Sequence, residues 1–145
     1  MQENNELQVE LRNVVEPVYA VVGQSHQQVG GDLPEGWVIM HYQRPLGDDQ
    51  YESNDYTAQA DGTWAITAST LRAKAVIVED DWREQQIITI NRQLEALEEA
   101  EADVPPDDLL PGTRTQWLGY RGKVRAWKEG HADFPEMSKR PIQPY

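Results

Sequence analysis

From Arg72 to Ala102 the chain runs for 31 residues without a glycine or a proline. Few architectures accommodate such a run. As a helix rising ~1.5 Å per residue it spans ~45–50 Å, and the spacing predicts a helix over about 69–102. Ser69 or Thr70 stands where a hydroxyl can cap its first turn. Asp80-Asp81, ahead of Trp82 and Glu84, could instead cap a second helix, so one helix or two with a break there both fit. Ile87, Ile90, Leu94 and Leu97 recur at +3, +4, +3, the seam of a helix that packs on a partner. Pro105-Pro106, Pro111 and Gly112 then stop the helix and reverse the chain.

The partner follows at once, over about 113–129. Trp117, Tyr120, Val124 and Trp127 fall on one narrow helical face. Arg114, Arg121, Arg125 and Lys128 form a stripe beside them, and Thr115, Gly119, Gly122 and Ala126 line the opposite side. Gly130 suits the residue after a helix end. The inference is an antiparallel hairpin whose core is Trp82, Ile87, Ile90, Leu94, Leu97, Trp117, Tyr120, Val124 and Trp127, with Phe134 anchoring the segment beyond. Each large side chain fully buried there contributes roughly 1.5–3 kcal/mol. Charge supports the pairing. Residues 79–108 hold 11 acidic and 2 basic side chains, whereas 113–128 hold 5 basic and none acidic. The flanks are expected to lie side by side in exposed ion pairs of ~0–1 kcal/mol each, which set register more than strength.

The preceding residues read as strands. Leu7, Val9 and Leu11 alternate with polar residues. Val14–Val22 is β-branched, but Pro17 assigns it to an edge or a break. Residues 24–33 read as a loop, Gly36–Tyr42 as a short strand, and 46–54 as a flexible loop. Residues 55–59 and 63–67 form a hairpin about Asp61-Gly62. Trp37, Ile39, Trp64 and Ile66 are the expected core. The fold class is therefore α+β: a small antiparallel β lobe (1–67), a helical hairpin (68–130) and an extended, proline-containing tail (131–145).

A net charge of −12 and a pI near 4.5 argue against nucleic acid or an anionic membrane as partner. With no cysteine there is no disulfide, thiolate metal site or cysteine nucleophile. The polar start, MQENNELQ, is unlike a signal peptide, and no apolar run reaches the ~18 residues of a membrane span. A protein made and used first in the cytoplasm is expected. His26, His41 and His131 are scattered and lack ligand-like neighbours. Asp48-Asp49 and Asp80-Asp81 read as turn or cap acids. Neither a phosphate-binding glycine loop nor a nucleophile elbow is present. No enzyme activity, cofactor or metal is expected.

What remains is binding. Gly119 and Gly122 each cost a helix interior ~1 kcal/mol relative to alanine. They are either a docking face for another backbone or a tolerated, solvated weakness. Arg121 and Arg125 can clamp a partner's carboxylate or pair with the acidic arm. The aromatics of the second helix are core or a stacking platform. The tail is a recognition arm or a strap over the hairpin. Trp37 and Tyr42 are the candidate contacts of the β lobe.

Several of these residues together resemble one family. They are Asp81-Trp82-Arg83-Glu84, the run Gln116-Trp117-Leu118-x-Tyr120-Arg121-x-x-x-Arg125-x-Trp127, Phe134-Pro135 and Arg140-Pro141. Upstream stand Leu33-Pro34-Glu35-Gly36-Trp37, Arg44-Pro45 and Asp61-Gly62-Thr63-Trp64. The pattern, over most of 33–141, is similar to phage tail assembly chaperones, also called tail-fibre assembly proteins. The chain departs from it in the valine- and isoleucine-rich stretch 75–78 and the long acidic arm. The resemblance implies a small protein that helps a trimeric receptor-binding fibre fold or assemble. It would bind near the fibre's C-terminal tip in the host cytoplasm and, in some relatives, stay on the virion. It carries no catalytic residues, and Trp82, Trp117, Tyr120, Arg121, Arg125, Trp127, Phe134 and Pro135 are then mainly structural. Self-association is compatible with it. The alternative is a permanent virion component, an adhesin or baseplate protein that stacks host glycans on Trp37, Tyr42, Tyr51 and Tyr56. A third reading is a chaperone for the tail tube or tape measure.

Overall fold

The computed structural model describes residues 15–145. The fold is α+β, a small antiparallel sheet followed by a helical hairpin, and the chain divides into two compact units, Met1–Thr70 and Leu71–Tyr145. The strand expected at Leu7–Leu11 lies outside the described residues.

In the first unit, strands β1 (Val18–Ala20), β2 (Gln27–Val29) and β3 (Val38–Met40) form a sheet of order β2-β1-β3, antiparallel throughout. Of the two readings of Pro17, the break holds and the edge does not: β1 starts one residue after the proline and is central, so Pro17 never has to donate to the ladder. The stretch read as a loop contains β2, whose Gln27-Gln28 lacks the apolar alternation that marks a strand in sequence. Register then decides the core. Val18 pairs with Met40 and Ala20 with Val38, while Ile39 pairs with Tyr19 on the other face. Ile39 is accordingly 63% exposed, which overturns its place in the expected core. The core is Val18, Ala20, Met40, Ala58 and Trp64, with Val38 and Tyr56 packed against it. Trp37 and Ile66 are half-buried.

Strands β4 (Thr57–Ala58) and β5 (Trp64–Ala65) pair antiparallel as the expected hairpin. Its loop is longer than a two-residue turn. Gln59 N–H donates to Thr63 C=O at 2.8 Å and Gly62 N–H to Gln59 C=O at 3.0 Å, with Gly62 at φ 84°. Asp61 accepts from Thr63 N–H and its hydroxyl. The 46–54 segment is more ordered than a flexible loop. Asp48 accepts from the N–H groups of Gln50 and Tyr51, both at 2.8 Å, and a 3-10 turn follows at Ser53–Asp55.

Helix α1 (Ala68–Glu101) runs unbroken through Asp80-Asp81, and α2 (Arg114–Ala126) lies antiparallel to its later part. Ile90, Trp117, Tyr120 and Val124 form the core of the seam, joined by half-buried Trp82, Ile87, Leu94 and Leu97. The intervening turn is held by two side chains of α1. The buried Gln93 amide donates to Leu110 C=O at 2.8 Å and accepts from Leu110 N–H at 2.9 Å. Arg92 adds a two-point ion pair to Asp108.

Beyond α2 the tail folds back as a strap. Trp127 is fully buried against Phe134 and His131, ring centroids 5.5 and 5.1 Å apart. Past a 3-10 turn at Met137–Lys139, Arg140 lies over the Trp82 ring, 4.8 Å from its centroid. The strap ends beside the start of α2, where Pro144 meets Gly112 so closely that a Cβ at Gly112 would stand 2.9 Å from it.

Candidate interaction face

Helix α2 has two contrasting sides, and its sequence fixes which is which. Thr113 caps it: its hydroxyl accepts from Gln116 N–H, and Gln116 Oε1 accepts from Thr113 N–H at 2.8 Å, a reciprocal box worth ~1 kcal/mol. Gly112, at φ 111°, admits the Trp117 indole at a distance no side chain would permit. The indole N–H donates to Pro111 C=O at 3.0 Å. With Trp117 pinned inward, the ~100° turn per residue places Leu118, Arg125 and Gly122 on the far side.

The inward side is a closed polar and aromatic network. Tyr120 hydroxyl donates to Gln86 at 2.8 Å, and burial raises the phenol above its ordinary value. Glu79 is 1% exposed, yet its carboxylate is fully partnered. Oε1 accepts from Arg140 Nε at 2.6 Å and Trp127 Nε1 at 3.1 Å, and Oε2 accepts from the other guanidinium arm at 2.6 Å. Arg140 holds the Glu79 carboxyl below the ordinary glutamate value, against the opposing push of burial, and the Trp127 N–H assists. Arg83 ties α1 to the end of α2 through Trp127 C=O at 2.9 Å. A two-point Arg72–Glu129 pair lies further along.

The outward side is different. Gly119 and Gly122 have nothing within 4 Å of where a Cβ would stand, so among the described residues nothing packs directly on either glycine. Of the basic residues on α2, among the described residues, only Arg114 reaches an acid of α1, Glu98 at 3.7 Å. Arg121, Lys123 and Arg125 have no side-chain partner there. The expectation that acidic and basic flanks zip together is corrected accordingly. Arg121 and Arg125 sit roughly a quarter-turn or more from the seam, so their guanidinium groups diverge from α1. Between α2 and the strap lies an open groove of ≈ 380 Å³, lined by Gly119, Lys123, Ile142 and Tyr145 among others.

In the first unit, Tyr42 is a strut for Trp64: its hydroxyl accepts from Trp64 N–H at 3.3 Å and its carbonyl from the indole N–H at 2.9 Å. Trp37 stands edge-on to His26 at 6.0 Å. Comparison with family models, curated proteins and solved structures finds no match. Among the described residues no three histidine or acidic side chains gather as a metal site, and no helix is long and apolar enough to cross a membrane.

Sequence reasoning missed Glu79, Gln86 and Gln93 as interior residues. The signal was present. Continuing the seam backwards from Leu97 and Ile90 at heptad spacing passes through Gln93, Gln86, Arg83 and Glu79. Their polarity disguised them, and their partners lie up to 61 residues away.

Proposed function

We propose that this protein is an assembly chaperone of a phage tail fibre, working by binding and without catalysis. It holds the C-terminal region of the receptor-binding fibre while the fibre folds or trimerises, in the host cytoplasm. One observation carries the reading. Of the residues that form the resemblance over 81–141, the fold consumes Trp82, Trp117, Tyr120, Trp127, Phe134 and Arg140 internally. Arg121 and Arg125 are left with no partner among the described residues, on a helix side kept flat by Gly122. Two unpaired guanidinium groups in a chain of net charge −12 suit a carboxylate-bearing partner. A fibre trimer registers slowly and exposes strand edges until it closes, so a partner that binds the open form prevents aggregation without any nucleotide.

The test is co-expression with a receptor-binding tail fibre. The fibre should be soluble and trimeric with the chaperone and insoluble without it, and Arg121→Glu/Arg125→Glu should abolish the rescue. A fibre that folds equally well alone would overturn the reading. Glycan binding by the isolated chain, with fibre folding unchanged, would establish the adhesin instead. That alternative has less support: Tyr56 packs on the core and Tyr42 braces Trp64.

A further inference from the structure

The solvent side of α1 carries its own stripe, and it matches the one on α2. Glu84, Ile88, Asn91 and Glu95 follow one another at +4, +3, +4, on the side of α1 away from the hairpin seam. Ile88 is 63% exposed, and the Glu95 side chain 68%. On α2, Arg114, Leu118, Arg121 and Arg125 follow at the same +4, +3, +4, with Leu118 38% exposed in their midst. Laid parallel, the two stripes pair acid with base at both ends, Ile88 with Leu118, and Asn91 with Arg121. These are the layers that parallel helices bring together.

Within one chain the stripes cannot meet, because α1 and α2 already face each other through the buried seam. From this complementarity we infer that the α2 stripe docks on the outer side of α1 in a second copy of the chain. The two helices of one hairpin are antiparallel, so the parallel contact turns each successive copy end over end. The surfaces are unlike, one on α1 and one on α2, so the contact is heterologous. Assembly therefore continues past two copies or closes into a ring. The net negative charge of each copy opposes association at long range, and the local matches act at contact. The interaction is thus weak and strongly dependent on salt. It stands independently of whether the same α2 side also meets a fibre.

Sedimentation velocity on the full chain tests this, from about 1 to 500 µM and at about 0.05 and 0.5 M salt, where the screening length falls from ~14 to ~4 Å. The expected result is a mass that rises beyond a dimer with concentration at low salt, weakened at least about tenfold at high salt. Arg121→Glu/Arg125→Glu should be monomeric, as should Glu84→Arg/Glu95→Arg, each checked for helicity by circular dichroism. The second variant is decisive because it makes the chain less negative. General repulsion would then predict more association, whereas the matched stripes predict less. An equimolar mixture of the two variants should associate again. Should either variant lose helicity, the glutamine versions, Arg121→Gln/Arg125→Gln and Glu84→Gln/Glu95→Gln, give the same reading. A wild-type chain monomeric throughout would overturn the inference and leave the basic stripe to an acidic partner of another kind. So would association unchanged by the swaps, or a mixture that stays monomeric.

Discussion

The two units are held together in opposite ways. In the first, strands of two or three residues surround a core of Val18, Ala20, Met40, Ala58 and one indole. Most of its fastenings are short-range turns and backbone pairings, such as Gln59–Thr63 and the Asp48 cap over Gln50 and Tyr51. In the second, a few large side chains join residues far apart: Trp127 and Glu79 across 48 positions, Arg72 and Glu129 across 57, Arg140 and Glu79 across 61. A fold of the first kind is vulnerable in its backbone turns. One of the second kind is vulnerable at single side chains.

The sharpest way to break that contrast is Trp117→Ala. It removes a fully buried indole from the seam and should cost about 3–5 kcal/mol, read as lost helicity and a lower Tm, with Trp64 fluorescence in the first unit unchanged. If α2 stays helical with undiminished stability, the seam is not what holds the second unit. Arg140→Met comes next. It leaves Glu79 buried without its cation, at a cost of roughly 3 kcal/mol, and should release the strap to proteolysis while the rest of the chain resists.

The same pair predicts a pH dependence. Because Arg140 lowers the Glu79 pKa from its ordinary 4.5, its stabilisation is complete above that value. It is lost as pH falls through the lowered one, so the wild-type Tm should drop in acid. In Arg140→Met burial is opposed only by the smaller effect of the Trp127 N–H, and the Glu79 pKa rises. That variant should instead lose stability as pH rises through the glutamate range. Parallel Tm profiles from about pH 3 to 7 would show the inversion.

How much of this could be read from sequence follows from the same contrast. The helices announce themselves by period, and both lie within three residues of their expected limits, 68–101 and 114–126. The proposed break at Asp80-Asp81 is absent because Glu79 and Arg83, on either side, are both tied to the second helix and strap. Neither tie is visible without knowing that the end of α2 and Arg140 both return to this part of α1. In the β lobe the hairpin was legible from Asp61-Gly62. The order of strands was not: β2 is a polar edge, and the misplacement of Ile39 is a matter of register, where one residue exchanges the faces. At the candidate face, the types of Gly119, Gly122, Arg121 and Arg125 were legible. Their divergence from α1 required the direction of the seam.

Two smaller substitutions sharpen the comparison. Gly62→Ala forces a Cβ onto a residue at φ 84° and within 2.8 Å of the His41 ring. It should destabilise the first unit by about 1–2 kcal/mol and leave the helical signal intact. Gly122→Ala, with open space around it, should stabilise the second unit by about 0.5–1 kcal/mol in chemical denaturation. A destabilisation there would mean that the outward side of α2 is covered.

The clasp that Gln93 makes on Leu110 uses nothing but a peptide N–H and C=O, which nineteen of the twenty amino acids supply alike. The bend between the helices is therefore indifferent to spelling at position 110. Random substitution there should recover almost any residue except proline, whereas position 93 should tolerate almost nothing but glutamine. One amide on a helix thereby frees position 110 to drift through evolution while its geometry stays put.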